Sequence, residues 1–261
     1  MTTARPLSAT LDIYGKEAYY EFLKYLRIPM YAGSTLVFPI MFYILFGLLM
    51  NHGGDVRGMG VSTYLIATYG TFGVMGASLF SNGIGIAVER GLGWMQVKRA
   101  SPMPPFAYFT AKFFVSAVFS VAIAVVLLSL GWVFGGTHIT AFQAAKLLAV
   151  LFAGVAPFCA LGIAIGYLAG PNSAAAAVNL IYLPLSFASG LWFPVEALPK
   201  FLQHLAAYLP PYHLAQLALG VLGGGDAQSP LHHLEFLFGF TLLALGVAFL
   251  GYRRDEGKTY G

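Results

Sequence analysis

Charged residues are scarce in this 261-residue chain, where they make up 9% of the positions, against about a quarter in an average soluble domain. Apolar residues make up 58% and the mean hydropathy is +0.75. A chain with so few charges cannot cover a water-exposed surface, which excludes an ordinary soluble domain and predicts an integral membrane protein. The net charge of +4 does not indicate nucleic-acid binding, because the charges gather in short segments beside long apolar runs.

Residues that build metal and disulfide sites are also few. Cys159 is the single cysteine and lies inside an apolar run, which excludes an intrachain disulfide or a cysteine metal cluster. The histidines match no ligand spacing, so no metal site is expected. The first 27 residues lack an apolar core and a small-residue cleavage site, so they are not expected to be a cleavable signal peptide.

Six apolar runs are each long enough to cross the roughly 30 Å of hydrocarbon in a bilayer. They cover about 31–50, 61–88, 106–134, 144–168, 174–193 and 234–252. Backbone groups in lipid must be satisfied internally, and the runs are too long for membrane strands. The sequence therefore predicts an all-α membrane protein with six transmembrane helices.

Two kinds of residue predict the shape of these helices. Pro39, Pro157 and Pro184 fall inside spans and are expected to kink them. Small residues recur along the second span and predict close helix contact there. They are Gly70, Gly73, Gly76, Ala77 and Gly83.

The basic residues predict the orientation. If the N-terminus is cytoplasmic, eleven of the 14 Lys and Arg residues lie inside and three, Arg57, Lys146 and Lys200, lie outside. Both termini, with a tail over 253–261, are then cytoplasmic, and all six histidines lie outside.

The segment before the first span, within residues 1–30, is predicted to form an amphipathic helix in the inner interface. Its apolar residues recur at helical spacing and charged residues are offset from them. The apolar positions are Leu11, Tyr14, Ala18, Phe22 and Leu26.

The loop between the second and third spans, residues 89–102, mixes apolar with basic residues. A short helix across the cytoplasmic face would explain it. The residues alone leave two alternatives open, a helix resting in lipid headgroups and a helix docking into a groove of a soluble partner.

The outer segment 194–229 is too long for a simple connection. A short apolar face is present in each of two stretches, Phe201–Leu209 and His213–Leu222. Pro210-Pro211 separates the two stretches, and the glycine run that begins at Gly223 ends the second stretch. The sequence predicts two half-helices that form a re-entrant hairpin in the outer leaflet before the last span.

At these two segments the sequence resembles the ABC-2 family of ABC-transporter permeases. Glu89-Arg90, Ser101-Pro102 and Lys112 resemble the family's cytoplasmic coupling segment. The run from Ser189 to Pro194, with Leu198-Pro199 and Tyr208-Leu209-Pro210, resembles its fifth-span exit and outer hairpin. Gly91 departs from the family pattern, where another acidic residue is common.

The resemblance implies a half-permease of the type V exporter arrangement in the bacterial inner membrane. It implies a second half, identical or related, and two copies of a separate ATP-binding subunit that binds ATP and Mg, so this chain is expected to be no enzyme and to hold no cofactor. Membrane lipids are the other expected partners. The residues implied for coupling are Glu89, Arg90, Trp94, Met95, Lys98, Arg99, Ser101 and Pro102.

The resemblance also places the substrate pathway on spans one, two and five. Candidate lining residues are Phe38, Phe42, Tyr69, Phe72, Met75, Asn179, Tyr182 and Phe187. Aromatic and Met side chains suit a hydrophobic or amphipathic cargo of the drug, lipid or glycan-lipid class moved outward. Each of them can equally serve helix packing, but Asn179, as a buried amide, is expected to need a partner.

The sequence also bears on the energy source of transport and on rival functions. Gly257-Lys258-Thr259 looks like the end of a phosphate-binding loop, but Tyr252 stands where the first glycine belongs. Acidic residues Glu89 and Glu235 lie at span ends, which argues against ion coupling and favours an external motor. The rival interpretations are a passive channel or lipid scramblase, and an intramembrane lipid-modifying enzyme that uses His232 and His233.

Overall fold

The computed structural model describes residues 7–51, 53–101 and 103–256, and this part of the chain is mostly helical. Pro102 and the Gly257-Lys258-Thr259 tail lie outside the described residues. The helices, in chain order, are α1 (Leu7–Leu26), α2 (Pro29–Phe42), α3 (Val61–Leu79), α4 (Gly85–Gly91), α5 (Trp94–Ala100), α6 (Pro105–Val133), α7 (Ala141–Ala153), α8 (Val155–Leu168), α9 (Ala174–Ala188), α10 (Lys200–Ala206), α11 (Pro210–Leu222) and α12 (Pro230–Glu256).

Short irregular pieces join these helices. Two π-helical segments, Tyr43–Leu49 and Phe80–Ile84, continue α2 and connect α3 to α4. A two-residue antiparallel hairpin, β1 (Asp55–Val56) and β2 (Met59–Gly60), precedes α3, and a 3₁₀ turn over Val195–Ala197 precedes α10.

Four helical stretches of the described chain are long and apolar enough to cross a membrane: Val61–Gly91, Phe106–Val133, Ala141–Leu168 and Pro230–Asp255. The apolar stretches Thr35–Leu49 and Ala174–Ala188 are shorter. The chain is therefore an all-α membrane protein with four helices of spanning length, fewer than the six that the sequence predicted. The other two predicted spans, the first and the fifth, coincide with the two shorter stretches.

Proline placement explains where one long helix breaks. The ring of a proline clashes with the carbonyl four residues earlier, which for Pro157 is that of Ala153. The structure ends α7 at Ala153 and begins α8 at Val155, with Gly154 between them. In contrast, α9 continues as a helix through Pro184.

Helix α3 lies at the centre of the molecule, and its small residues are where neighbours approach closely. A Cβ added at Gly73 would lie 2.7 Å from Ile123, and one at Gly83, in the π-helical segment that follows α3, 2.7 Å from Val178. Added atoms at Gly70 and Gly76 would meet Leu151 and Tyr182 at 3.0 and 2.9 Å. The predicted close contact along the second span is confirmed.

Helix α1 packs along α6, but not with the whole face that its periodicity predicted. Leu11 and Leu26, at the ends of the predicted apolar face, are exposed, whereas Glu21 and Tyr25 are buried. The face is set by the charges of α6 as well as by apolar area, because Lys112 of α6 lies opposite Glu21.

Candidate functional site

Four charges, three of them buried and Lys24 partly exposed, bring α1, α4 and α6 together. We call Glu21, Lys24, Glu89 and Lys112 the four-charge cluster. The Nζ of Lys112 donates to Glu21 Oε1 at 2.5 Å and to Glu89 Oε1 at 2.8 Å. Lys24 donates to the same two carboxylates, at 2.6 Å to Glu21. Two positive and two negative charges thus neutralise one another, which is the condition under which buried ions are tolerated.

Two tyrosines complete the shell around this cluster. Tyr108 donates its hydroxyl to Glu89 Oε2 at 2.5 Å, and Tyr25 accepts from Lys112 at 3.1 Å. Tyr25 in turn donates to the carbonyl of Ser81 at 2.5 Å, in the π-helical segment below α3. Burial raises the pKa of Tyr25 well above its ordinary value, so its hydroxyl keeps the proton that this bond requires.

The neighbouring α4–α5 segment is also held from within. Arg90 donates to the carbonyls of Gly166 and Ala169 at 2.7 and 3.3 Å, at the C-terminal end of α8 where helix carbonyls lack partners, and to Asp255 of α12 at 2.6 Å. Lys98 pairs with Glu17 of α1, and its Nζ lies 4.5 Å from the centre of the Tyr108 ring. Glu89, Arg90 and Lys98 are therefore anchors that fix the segment to α1, α6, α8 and α12.

A different set of residues in this segment faces outward. Leu92, Trp94 and Val97 are 68%, 55% and 66% exposed. Met95 lies between, packed against the small cluster of Ile86, Tyr108 and Tyr167. Ser101 is exposed and donates to the carbonyl of Lys98 at 2.7 Å. The structure gives the backbone of Arg99 but not the place of its side chain. We call Leu92, Trp94 and Val97 the apolar foot.

Glycines allow the turn between α4 and α5. Gly93 has φ +74°, a left-handed conformation that favours glycine. A Cβ at Gly91 would lie 2.3 Å from Cγ of Pro171, in the loop after α8. The contact explains why a residue with a side chain would not fit at position 91.

The predicted pathway residues separate into two groups. Tyr69, Phe72, Met75 and Tyr182 are buried inside the single chain. The rings of Phe72 and Tyr182 stack at 4.7 Å, and Phe42 packs beside Trp192 at 4.8 Å. Within one chain these side chains hold α2, α3 and α9 together.

Phe38, Asn179 and Phe187 form the second group and are exposed. The expectation that Asn179 is a buried amide is wrong for the single chain: its Nδ2 donates to the carbonyl of Ala175 on its own helix at 2.9 Å. Pro184, one turn further along, cannot donate to the carbonyl of Leu180. The outward face of α9 therefore carries polar groups among apolar ones.

A cavity of about 890 Å³ lies beside the four-charge cluster, between α1 and the α4–α5 segment. Its wall is largely apolar and aromatic, with Tyr20, Tyr31 and Trp94 among the lining residues. The ion-paired side chains of Lys24 and Lys98 also line the cavity. It is large enough for a drug-sized or lipid-like group.

Sequence reasoning missed Glu21, Tyr25 and Tyr108, and it used Lys112 only as part of a motif. Two signals were available. Lys112 is an ionisable residue inside an apolar span, and Glu21 is an acid on the side of α1 that holds apolar Phe22 and Tyr25. An ionisable residue in a span is a functional candidate whose partner has to be sought.

A second polar network crosses the outer end of the fold. Arg57 donates to Glu196 at 2.9 and 2.5 Å and to Gln216 of α11 at 2.8 Å. The network ends at His213 and His233, whose rings contact each other. Within residues 7–51, 53–101 and 103–256, no three His, Cys, Asp or Glu side chains are arranged to hold a metal ion.

Comparisons with known proteins agree with this architecture. Residues 18–222 match the profile of the family described as ABC-2 type transporter. The chain is also 29% identical over 217 residues to a Bacillus subtilis protein named "Putative transport permease YvfS", an alignment that covers 83% of this chain and 88% of that protein.

Proposed function

Since this chain belongs to the ABC-2 type transporter family and is a membrane-embedded permease, we propose that it is the permease half of an ATP-driven exporter. It moves a hydrophobic or amphipathic compound of the drug, lipid or glycan-lipid class outward across a bacterial inner membrane. ATP and Mg are bound by two copies of a separate subunit. A second permease half, identical or related, completes the pathway.

The observation that carries the proposal is the construction of the α4–α5 segment. Anchors at Glu89, Arg90 and Lys98 hold it rigidly to four helices, while the apolar foot is left exposed. Binding to the phosphates of lipid headgroups would instead need free basic side chains, whereas Arg90 and Lys98 are ion-paired. An apolar exposed surface on a rigid base suits a groove of a protein partner, which is where the ATP-binding subunit would dock.

Six spans remain our proposal for the membrane arrangement. The helical backbone from Pro29 to Leu49, with its π-helical end, is about 30 Å long at 1.5 Å per residue. Helix α9 is shorter, and the turn over 189–193 with α10 and α11 would complete its crossing as an outer hairpin. Eleven of the 14 Lys and Arg residues then lie with the termini on the cytoplasmic side.

The surfaces available support the proposed cargo class. The cavity beside α1 is largely apolar and is lined in part by Leu92 and Trp94 of the apolar foot, so an amphipathic molecule would enter from the inner leaflet. Phe38 and Phe187 on the exposed faces of α2 and α9 offer adaptable apolar contact further along. Four predicted pathway residues are buried and would affect the pathway only indirectly, by packing the helices that line it. They are Tyr69, Phe72, Met75 and Tyr182.

For the enzyme alternative, which uses His232 and His233, His233 is a poor base. The nitrogens of His213 and His233 are occupied by each other, by the carbonyl of Ala207 and by Asp226. Neither ring of that pair has a free nitrogen that could serve as a general base.

The test is co-purification from solubilised membranes with the cognate ATP-binding subunit. Val97→Glu places a charge in the apolar foot, and we expect recovery of the subunit to fall about tenfold or more, as when a charge is buried at an interface centre. The matched control is Lys200→Glu on α10, since Lys200 is exposed and lies on the outer side, opposite the foot. Equal recovery with both variants would overturn the docking assignment.

Transport itself is tested in vesicles that contain both subunits. We expect ATP-dependent movement of an amphipathic probe that Val97→Glu reduces and Lys200→Glu leaves intact. Movement that needs no nucleotide would instead indicate a passive scramblase.

A further inference from the structure

Two buried histidines join the outer hairpin to the last helix. His213 of α11 is 1% exposed and His233 of α12 is 2% exposed. Their Nδ1 atoms lie 2.8 Å apart. The His213 ring also stacks on Phe236 with centroids 3.8 Å apart. This contact between two ionisable rings plays no part in the function proposed above.

The remaining ring nitrogens both face acceptors. His213 Nε2 lies 3.0 Å from the carbonyl oxygen of Ala207, and His233 Nε2 lies 3.0 Å from Asp226 Oδ1. Turning either ring over would put carbon atoms in place of nitrogen at these contacts and lose the bonds, so the contacts themselves fix the ring orientations.

The three hydrogen bonds of the histidine pair need more ring protons than two neutral imidazoles carry. A carbonyl oxygen and an ionised carboxylate only accept, so each end bond needs a proton from an imidazole, and the central Nδ1–Nδ1 bond needs one more. Three protons are required, whereas two neutral imidazoles carry two. With all three bonds made, the pair holds one additional proton and a single positive charge.

The surroundings indicate where the charge lies. Asp226 accepts from the Tyr212 hydroxyl at 2.8 Å and from the Gln228 amide at 3.1 Å. Burial alone would raise the pKa of Asp226, but these bonds and that from His233 outweigh it and lower the pKa. Burial also lowers the pKa of His213 to about 4 against the opposing effect of the Ala207 carbonyl. The positive charge therefore belongs on the His233 side, beside an ionised Asp226.

Other ionisable groups near the pair are few. His232 of α12 has its ring 5.8 Å from that of His213. Asp226 connects through its backbone amide to Gln216, which accepts from Arg57, and Arg57 pairs with Glu196. Helices α3 and α7 also pack against α11. Within the described part of the chain, neither helix contributes an ion pair or hydrogen bond to the histidines. The ammonium group of Lys146, on α7, lies over the ring of Phe142 on the same helix.

We infer that His213 and His233 form a proton-binding site that holds the outer hairpin against the last helix. The proton comes from the outer solution and returns to it. When α11 separates from α12, the rings become ordinary histidines, with pKa values near 6.5. Above that pH the separated form carries about two ring protons and the closed form carries three, so raising the pH weakens the contact. Well below that pH the separated form carries four ring protons, so lowering the pH weakens the contact as well. The hairpin is held most firmly near pH 6.5.

The test is nitrogen NMR of the purified full-length chain in lipid nanodiscs, labelled with ¹⁵N-histidine. At about pH 8 a free imidazole is almost wholly neutral, yet we expect one of the six histidines to remain an imidazolium. Asp226→Asn should remove that signal, and the control His204→Gln, at an exposed position on α10, should leave it. Six neutral imidazoles in the unaltered protein at pH 8 would overturn the inference, without need of any variant.

A second readout rests on the proposed function. In right-side-out vesicles loaded with ATP and with the internal pH held constant, ATP-driven transport should vary with external pH in the native protein and much less in Asp226→Asn. The NMR result requires neither transport nor a known cargo, so a failure of the proton site can be told apart from a failure of the exporter proposal.

Discussion

At position 112 a lysine with no exposed surface holds two glutamates, one from α1 and one from α4. Replacing it by methionine keeps the volume but leaves Glu21 and Glu89 to share Lys24 alone. Breaking a buried ion network by removing one partner costs about 3–5 kcal/mol. We therefore expect Lys112→Met to lower the melting temperature of the purified protein markedly, measured by thermal unfolding in detergent.

The compensating change at Glu21 separates charge from packing. The double variant Lys112→Met with Glu21→Gln again has one carboxylate for one lysine, and it should recover a large part of the loss. Lys146→Met, at an exposed position on α7, is the control and should change little. If the double variant melted no higher than Lys112→Met, the lysine would matter for its shape and not for its charge.

The same residues mark what could and could not be predicted from the sequence. The composition of segment 89–101 predicted a short cytoplasmic helix, and α5 is present there. The partners that turn its charges inward lie far away in the chain, at Glu17 and Asp255, and side-chain pairing over such separations cannot be deduced from local periodicity. Sequence reasoning therefore identified the segment but could not tell its anchors from its exposed foot.

At the scale of elements, α1 fits into a notch in the α3–α4 helix. A Cβ at Gly85 would lie 1.8 Å from the Tyr25 hydroxyl oxygen, so glycine at 85 is what allows Tyr25 to reach the carbonyl of Ser81. Gly85→Ala should push α1 away from α4 and cost about 1–3 kcal/mol as an overpacked contact. The loss can be measured as a fall in melting temperature together with a fall in ATP-driven transport.

Removing the clashing atom provides the internal check on Gly85. Tyr25→Phe deletes the hydroxyl, so Gly85→Ala combined with Tyr25→Phe should be less damaged than the sum of the two single changes. Gly15→Ala, on α1 with open space around it, should be neutral or slightly stabilising because alanine favours a helix. Strict additivity of the pair would mean that the hydroxyl and the glycine do not meet.

Helix breaks were only partly predictable at this scale. Gly154 and Pro157 together stop α7, as the steric rule for proline requires, whereas α9 continues through Pro184. Contacts with a neighbouring helix hold α9 close to its proline. In α9, Tyr182 donates to the carbonyl of Phe72 and stacks on the Phe72 ring. Such tertiary contacts are invisible in a single apolar run.

At the scale of the whole molecule, two outward helix faces differ in chemistry. The exposed face of α12 is apolar through most of its length, with Phe238, Leu243 and Phe249 among its residues, as suits contact with lipid chains. The exposed face of α9 carries Asn179 and the Leu180 carbonyl that Pro184 leaves without its helical partner. Polar groups on a membrane helix face protein or a water-filled pathway, so we expect the second permease half to cover α9 and the neighbouring face of α2.

Cysteine cross-linking in native membranes tests this expectation. The single native cysteine, Cys159, is buried, so an added cysteine reports on its own position. Leu180→Cys, at a position 76% exposed on α9, should give a disulfide-linked pair of permease chains, or a pair with the related half carrying a facing cysteine. Phe249→Cys, on the apolar face of α12, should stay uncrosslinked because lipid separates that face from other copies. If Phe249→Cys cross-linked while Leu180→Cys did not, the halves would meet at α12 and the pathway would lie elsewhere.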